Sequence, residues 1–132
     1  MIGADTTFLI HLLRGEKSAK QKASDLDEEP FVFTTEANVY EVISGIRESK
    51  VDVKKAMNEL EMLLIRFTVL PLDRKGANYA GRIAAALTEK GNMIGDIDCI
   101  TAGILLSNGC DRILTRNVKH FERIKELEVE NY

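Results

Sequence analysis

The sequence predicts a three-layer α/β/α fold built on a central, mostly parallel sheet of four to five strands. Short apolar runs alternate along the chain with longer segments whose apolar residues have helical spacing, a pattern typical of parallel sheets covered on both faces. The 132 residues, 45% of them hydrophobic, suffice for one domain with its own core. No repeat or flexible linker divides the chain, so we expect a single domain over residues 1–132.

Two strands and four helices are predicted in the first half. Phe8, Leu12 and Leu13 lie on one side of the first helix, and Thr35 is a favoured N-cap for the third. In chain order the elements are a strand at 1–4, a helix from Asp5 to Gly15, a polar helix at 16–29, a strand at 30–34, a helix from Thr35 to about Arg47, and an amphipathic helix at 51–66.

The second half continues this alternation. In chain order the elements are a strand at 67–72, a helix at 74–90 capped by Asp73, a helix at about 96–107, a strand at 111–115, a helical turn at 118–121, and an edge strand near 126–129. The helix at 96–107 has apolar residues on nearly every side, so we expect it to be buried all round. Asn108 and Gly109 end it.

Composition and charge exclude several classes of protein. No apolar run approaches the roughly 18–20 residues that cross a bilayer, and the N-terminus lacks the pattern of a signal peptide, so we expect a cytoplasmic protein without a membrane partner. Two cysteines are too few for a disulfide framework. The net charge of −3 creates no general attraction for nucleic acid. A polyanionic substrate would therefore need local basic groups or a bound cation.

Polar residues follow two of the predicted strands. Asp5 comes directly after the first strand, and Thr115, Arg116 and Asn117 come at the end of the fourth. Ligands bind outside the carboxyl ends of strands in open parallel sheets. Asp5 is also a favoured helix N-cap, so local sequence leaves both the cap and the site open.

Asp96 and Asp98 stand at the start of the buried helix. Positions two apart lie about 200° around a helix from each other, so these carboxylates cannot hold one ion from within a regular helix. We expect Asp96 to be the N-cap or to lie just outside the helix. Asp98 then occupies the first turn and points into a packed region or a cleft.

The helix after the second strand carries Glu36 and Glu41. Glu41 lies away from the apolar stripe, which predicts exposure, but its neighbours on that face are small residues that allow another element to approach. Glu36 lies closer to the stripe. Periodicity alone does not choose between the two glutamates.

With these residues identified, the chain resembles the PIN-domain family, in particular the VapC-type ribonuclease toxins. "MIGADTTFLIHLLRG" is similar to the family's opening strand, acid and aliphatic helix, and "TTEANVYEVISGI" is similar to its second block. "IGDIDCITAGILLSNGCDRILTRNVKHF" resembles the third and fourth blocks. This resemblance places the family's acids on Asp5, Glu41 and Asp98.

The resemblance implies a Mg²⁺- or Mn²⁺-dependent endoribonuclease that hydrolyses single-stranded RNA. Carboxylates and RNA phosphates repel each other, and a hard divalent cation bound by oxygen ligands removes that conflict. We expect Asp5 and Asp98 to bind the metal and Glu41 to orient water or complete the shell. Supporting roles are expected for Thr6, Asp96, Thr115, Arg116 and Asn117.

The chain departs from the family's pattern at two positions. Asn117 stands where an aspartate is frequent, and His120 stands where an acid often precedes the phenylalanine. These departures keep an alternative open, namely a catalytically weak or silent PIN-like module that binds a protein partner or RNA. A phosphatase built on the Asp96–Asp98 pair is disfavoured, because that chemistry requires the two aspartates directly after a buried strand. His11 and His120 lack partners at zinc-ligand spacing.

The resemblance also implies partners besides RNA. These are a cognate antitoxin, as in VapBC pairs, and a second copy of the chain in a homodimer formed through the middle helices. Val53, Met57, Leu60 and Leu64 are compatible with such an interface and equally with the core.

Overall fold

A computed structural model describes all 132 residues and contains one five-stranded sheet. The strands are Ile2–Ala4 (β1), Val32–Thr35 (β2), Thr68–Leu70 (β3), Arg112–Leu114 (β4) and Glu128–Glu130 (β5). Their order across the sheet is β3-β2-β1-β4-β5, and every neighbouring pair is parallel. The predicted central sheet is confirmed. The last strand begins later than predicted because Leu127 is buried in a turn. A hydrogen bond from the Leu127 N–H to the Ile124 carbonyl closes this turn.

Seven helices connect the strands. They are Thr6–Leu13 (α1), Lys17–Asp25 (α2), Glu36–Glu48 (α3), Val53–Leu64 (α4), Arg74–Glu89 (α5), Asp96–Ser107 (α6) and Val118–Phe121 (α7). The single helix predicted over residues 16–29 is wrong at its end, because α2 stops at Asp25 and a 3₁₀ turn follows at Leu26–Glu28. Glu29 then has an extended backbone with ψ of 132°, as the residue before a proline favours.

The helices form one layer on each face of the sheet. Ile2, Ala4 and Leu114 point from β1 and β4 into a core with α1 and α2. Ile113 faces the opposite way, into a core with α5, α6 and α7. Gly3 faces that side too, and a Cβ on it would collide with the Leu105 side chain of α6. The three-layer α/β/α prediction is therefore confirmed.

The prediction for α6 is also confirmed. Residues Cys99, Thr101–Leu105 and Ser107 are buried, and α5 packs closely along the helix. A Cβ on Gly103 would collide with the backbone of Ala80 in α5. This close approach fixes α6 over the sheet, so its first turn has a defined position at the sheet edge.

The apolar face of α4 belongs at least partly to the core. Leu60 is fully buried against Leu9 of α1 and Val42 of α3, and Leu64 packs beside them. Val53 and Met57 are half-buried. The homodimer interface through these helices stays a prediction. None of the helices is both long enough and apolar enough to cross a membrane.

Candidate active site

Asp5 and Thr115 meet at the centre of the sheet edge. β1 pairs with β4, with Ala4 opposite Leu114, so the residues that follow these strands are neighbours although 110 positions separate them. The chain builds outward from β1 to β3 and then returns to place β4 on the other side of β1. Such a reversal of strand order leaves a crevice at the carboxyl ends, where ligands bind in open α/β sheets.

The Asp5 carboxylate is buried, with 2% of the residue exposed. Its Oδ1 accepts hydrogen bonds from Thr7 Oγ1 (2.6 Å) and the Phe8 N–H (3.3 Å), and its Oδ2 accepts one from Thr115 Oγ1 (2.6 Å). Burial raises the pKa of Asp5, these hydrogen bonds counteract the rise, and the nearby Asp98 charge adds to it. Asp5 is thus the N-cap of α1, as one prediction had it, and it also lines the crevice.

Glu41 reaches the same crevice from α3. Its side chain is half-buried, and its Oε1 accepts a 2.5 Å hydrogen bond from Thr6 Oγ1 at the start of α1. Glu36 is exposed and lies with Tyr40 on a different face of α3. The structure therefore separates the two glutamates that periodicity left open, with Glu41 inside the crevice and Glu36 outside it.

Asp98 lies in the first turn of α6, as predicted, with 16% of its side chain exposed. Its Oδ2 lies 2.8 Å from His120 Nδ1 on α7. The prediction that Asp96 is the N-cap or lies outside the helix is wrong. The Cys99 N–H bonds the Gly95 carbonyl, so Gly95 is the N-cap and Asp96 is the first helical residue, exposed at the rim.

A neutral hydrogen-bond frame joins the elements that carry these acids. Asn38 of α3 is 1% exposed. Its Nδ2 donates to Thr6 Oγ1 of α1 and to Thr101 Oγ1 of α6, each at 3.0 Å, and its Oδ1 accepts from Thr35 Oγ1 at 2.7 Å. Since a buried amide must be satisfied to be tolerated, this arrangement fixes α1, α3 and α6 relative to one another.

The resulting acidic cleft has a volume of about 450 Å³ and ten lining residues, of which Ile97 alone is hydrophobic. It contains the carboxylates of Asp5, Glu41, Asp96 and Asp98 together with Asn117 and His120. No three of its His, Cys, Asp or Glu side chains are spaced to ligate one ion directly. Mg²⁺ keeps several waters and binds through one or two carboxylates, so the oxygen donors present suit it.

Among Asp5, Glu41 and Asp98, the last two are better placed to meet a cation. Each has one oxygen held by a neighbour, Thr6 or His120, and its second oxygen makes no side-chain hydrogen bond. Both oxygens of Asp5 are held within the protein. Asp5 therefore contributes negative charge, or a ligand that first exchanges one of these hydrogen bonds.

The predicted supporting residues other than Asp96 differ in what they contact. Thr6 and Thr115 hold Glu41 and Asp5 through their hydroxyls, and Thr115 Oγ1 also accepts the Asn117 N–H at 2.8 Å. Asn117 lines the cleft and occupies the N-cap position of α7 without a side-chain cap. Arg116 does not line the cleft, because its guanidinium donates to Glu16 (2.7 Å) and Ser18 (2.6 Å) and stacks on Tyr132.

Sequence reasoning missed Asn38, Thr101, Thr7 and His120 as parts of this site. A signal existed for Asn38, since a polar residue four positions before Val42 lies on the buried side of α3. His120 has no partner at zinc-ligand spacing in the sequence, and its neighbour in the structure is the Asp98 carboxylate. No sequence pattern distinguishes Thr7 or Thr101. Thr101 has its partner, Asn38, 63 positions away, and Thr7 bonds Asp5 within the first turn of α1.

The fold and the acidic cleft at its strand-order reversal define an α/β protein with a carboxylate-based site. The sequence matches the family described as PIN domain over residues 3–127. The chain belongs to the PIN domain family. This confirms the resemblance found in the sequence.

Individual relatives extend this match. The chain is 31% identical over 90 residues to Ribonuclease VapC2 of Rickettsia felis, an alignment that covers 67% of this chain and 64% of that protein. It is 31% identical over 129 residues to Ribonuclease VapC1 of the same organism, covering 95% and 91% of the two chains. The chain thus spans just under two thirds of VapC2 and nine tenths of VapC1.

A solved structure shares the fold. The crystal structure of VapBC2 from Rickettsia felis, bound to a DNA fragment from their promoter, contains a chain that matches with a TM-score of 0.90. The match covers 100% of this chain and 99% of that chain at 23% identity. At this identity the likeness shows the common fold.

Proposed function

We propose that this chain is a Mg²⁺- or Mn²⁺-dependent endoribonuclease that hydrolyses single-stranded RNA and is the toxin of a VapBC-type pair. The observation that carries the proposal is the gathering of Asp5, Glu41 and Asp98 from three distant segments into one polar cleft. Relatives named Ribonuclease VapC over most of the chain's length support it.

In this proposal Asp98 would hold the cation directly or through water. Asp5 would do so through water or after exchanging one of its hydrogen bonds within the protein. Glu41 would orient water or complete the shell. When bound, a divalent cation supplies positive charge for a phosphate and makes water more acidic. Thr6 keeps Glu41 directed at the cleft through its hydrogen bond, and Thr115 does the same for Asp5. Asn117 and Asp96 lie at the rim, where they would contact the incoming RNA or outer-shell water.

The partners belong to the same proposal. A VapC-type toxin requires an antitoxin, and the fold shared with a VapBC2 crystal structure supports that partner class. We also include a homodimer formed through the middle helices. The place of action we propose is the cytoplasm, where RNA is the substrate.

A cleavage assay on varied single-stranded RNAs with Mg²⁺ tests the proposal. Asp98→Asn and Glu41→Gln should each lower the cleavage rate by about 100-fold or more, and a chelator should abolish cleavage. Glu36→Gln is the matched control, since Glu36 is a glutamate of the same helix that lies outside the cleft, and it should cleave like wild type. Cleavage that survives Asp98→Asn or the chelator would contradict the proposal.

A silent interaction module is the second candidate. The observation that favours it is that no three ligands are already spaced around one ion. This candidate predicts that purified protein binds a partner or RNA equally well before and after Asp98→Asn, and that it cleaves no RNA with either Mg²⁺ or Mn²⁺.

A further inference from the structure

His120 is held over Asp98 by the shape of α7. Phe121, the next residue, is fully buried and fixes this short helix against the core. The His120 N–H bonds the Asn117 carbonyl at 3.0 Å, which closes the first turn. The imidazole is thereby directed at the cleft, and Nδ1 lies 2.8 Å from Asp98 Oδ2.

This contact occupies one Asp98 oxygen. An ionised carboxylate only accepts hydrogen bonds, so Nδ1 carries the proton and donates it. Asp98 Oδ2 is therefore held by protein, while its other oxygen has no side-chain partner. Sites that hold two metal ions place them about 3.5–4 Å apart, a distance that one carboxylate can bridge with its two oxygens. A second cation at Asp98 would have to displace the imidazole from Oδ2.

No other acid on the α7 side of the cleft offers a replacement ligand. The cleft-lining residues there are Asn117 and His120, and no other residue of α7 lines the cleft. Asp96 also lines the cleft, but it lies at the exposed first position of α6 and not on α7.

We propose that His120 restricts the cleft to one divalent cation by holding the Asp98 oxygen that a second cation would need. The inference rests on the proposed function only in taking a divalent cation as the ligand. His120 is in this view a positioning residue, which leaves Asp98 a single free oxygen for one ion.

Counting bound Mn²⁺ tests the inference without any cleavage. Titration of the purified full chain with Mn²⁺, followed by electron paramagnetic resonance of the free ion, should give one ion per chain for wild type. His120→Asp replaces the donor by a carboxylate and should give two. His120→Asn is the matched control, because its amide N–H can replace Nδ1 as donor, and it should give one.

The number of bound ions distinguishes failure of this inference from failure of the proposed function, which the cleavage assay tests. Two ions on wild type, no ion on wild type, or one ion on His120→Asp with an unchanged circular dichroism spectrum would each overturn the inference. Two ions on His120→Asn would overturn it as well. One ion on wild type with no cleavage of any RNA would instead remove the proposed function and leave the inference standing.

Discussion

Thr6 Oγ1 donates a 2.5 Å hydrogen bond to Glu41 Oε1 across 35 positions of sequence. The same hydroxyl accepts the Asn38 Nδ2 hydrogen bond at 3.0 Å, so the first residue of α1 connects a buried amide to a cleft carboxylate. The position of Glu41 is thus set by another helix as well as by its own.

Thr6→Val should lower RNA cleavage by about 10- to 100-fold, the usual cost of losing a group that orients a site ligand. It should also lower the free energy of unfolding by about 1–3 kcal/mol, because Asn38 loses a buried acceptor. Thr6→Ser keeps the hydroxyl and should retain most of the cleavage rate and most of the free energy of unfolding. Cleavage rates and urea unfolding measure the two effects, and equal activity of the valine and serine variants would refute the role of the hydroxyl.

Asn38→Ala should destabilise the protein by about 1–3 kcal/mol, since Thr35, Thr6 and Thr101 lose a shared buried partner. Cleavage should fall at temperatures where the variant is still folded, because α1, α3 and α6 are no longer tied together. Asn78→Ala removes an exposed asparagine of α5 and should change stability by less than about 0.5 kcal/mol. Urea denaturation monitored by circular dichroism compares them, and similar losses would contradict the prediction.

Asp5 should make the metal-free protein less stable as pH rises. Burial raises the pKa of folded Asp5 above its usual 3.8, with the Asp98 charge adding to the rise. Between the unfolded and folded values the folded state keeps a proton that the unfolded chain has released, so the Asp5 contribution to the free energy of unfolding falls with pH through that window.

Asp5→Asn removes this charge while keeping the shape of the side chain. The metal-free variant should be more stable than wild type at pH 7, by about 0.5–2 kcal/mol as for other substitutions that relieve a strained site. This advantage should shrink as pH falls through the folded pKa of Asp5. Asp111→Asn, at an exposed position, should show no such pH dependence. Urea unfolding at several pH values measures the difference in free energy of unfolding between each variant and wild type. An Asp5→Asn variant less stable than wild type at pH 7 would contradict the prediction.

Arg116→Ala should leave RNA binding nearly unchanged. The guanidinium is held by Glu16, Ser18 and the Tyr132 ring and does not line the cleft. Loss of these exposed contacts should change the stability little. The measurement is RNA affinity at several salt concentrations, and the decisive quantity is the slope of log K against log salt concentration. A slope reduced by about 0.7 would show that Arg116 does contact a phosphate.

The fold followed from the sequence because strands and helices are local patterns. Short apolar runs marked the first four strands, while the last strand was expected near 126–129 and lies at Glu128–Glu130. Thr35 and Asp73 are the helix caps that their residue types suggested. Boundaries were missed where tertiary packing decides them. Helix α2 is followed by a turn in which Leu26 is buried, and the backbone of Glu29 is extended before β2. The spacing of apolar residues shows neither feature.

The sequence predicted the acids of the site and the supporting residues Thr6, Thr115 and Asn117, but not the buried frame around them. Asp5 and Asp98 could be placed by their position after a strand and at a helix start. Asn38, Thr101 and His120 act through contacts of 22 to 63 positions in sequence separation, which depend on how helices cross. The roles of Asp5, Glu41 and Asp98 stay predictions until the substitutions are measured.

The pairing of β1 with β4 has a consequence for protein synthesis. Asp5 is synthesised more than 90 residues before Asp98, Thr115 and His120. A nascent chain that lacks β4 has neither the neighbour strand nor the hydroxyl that holds the Asp5 carboxylate. The cleft can therefore assemble only after β4 and α7 have been synthesised.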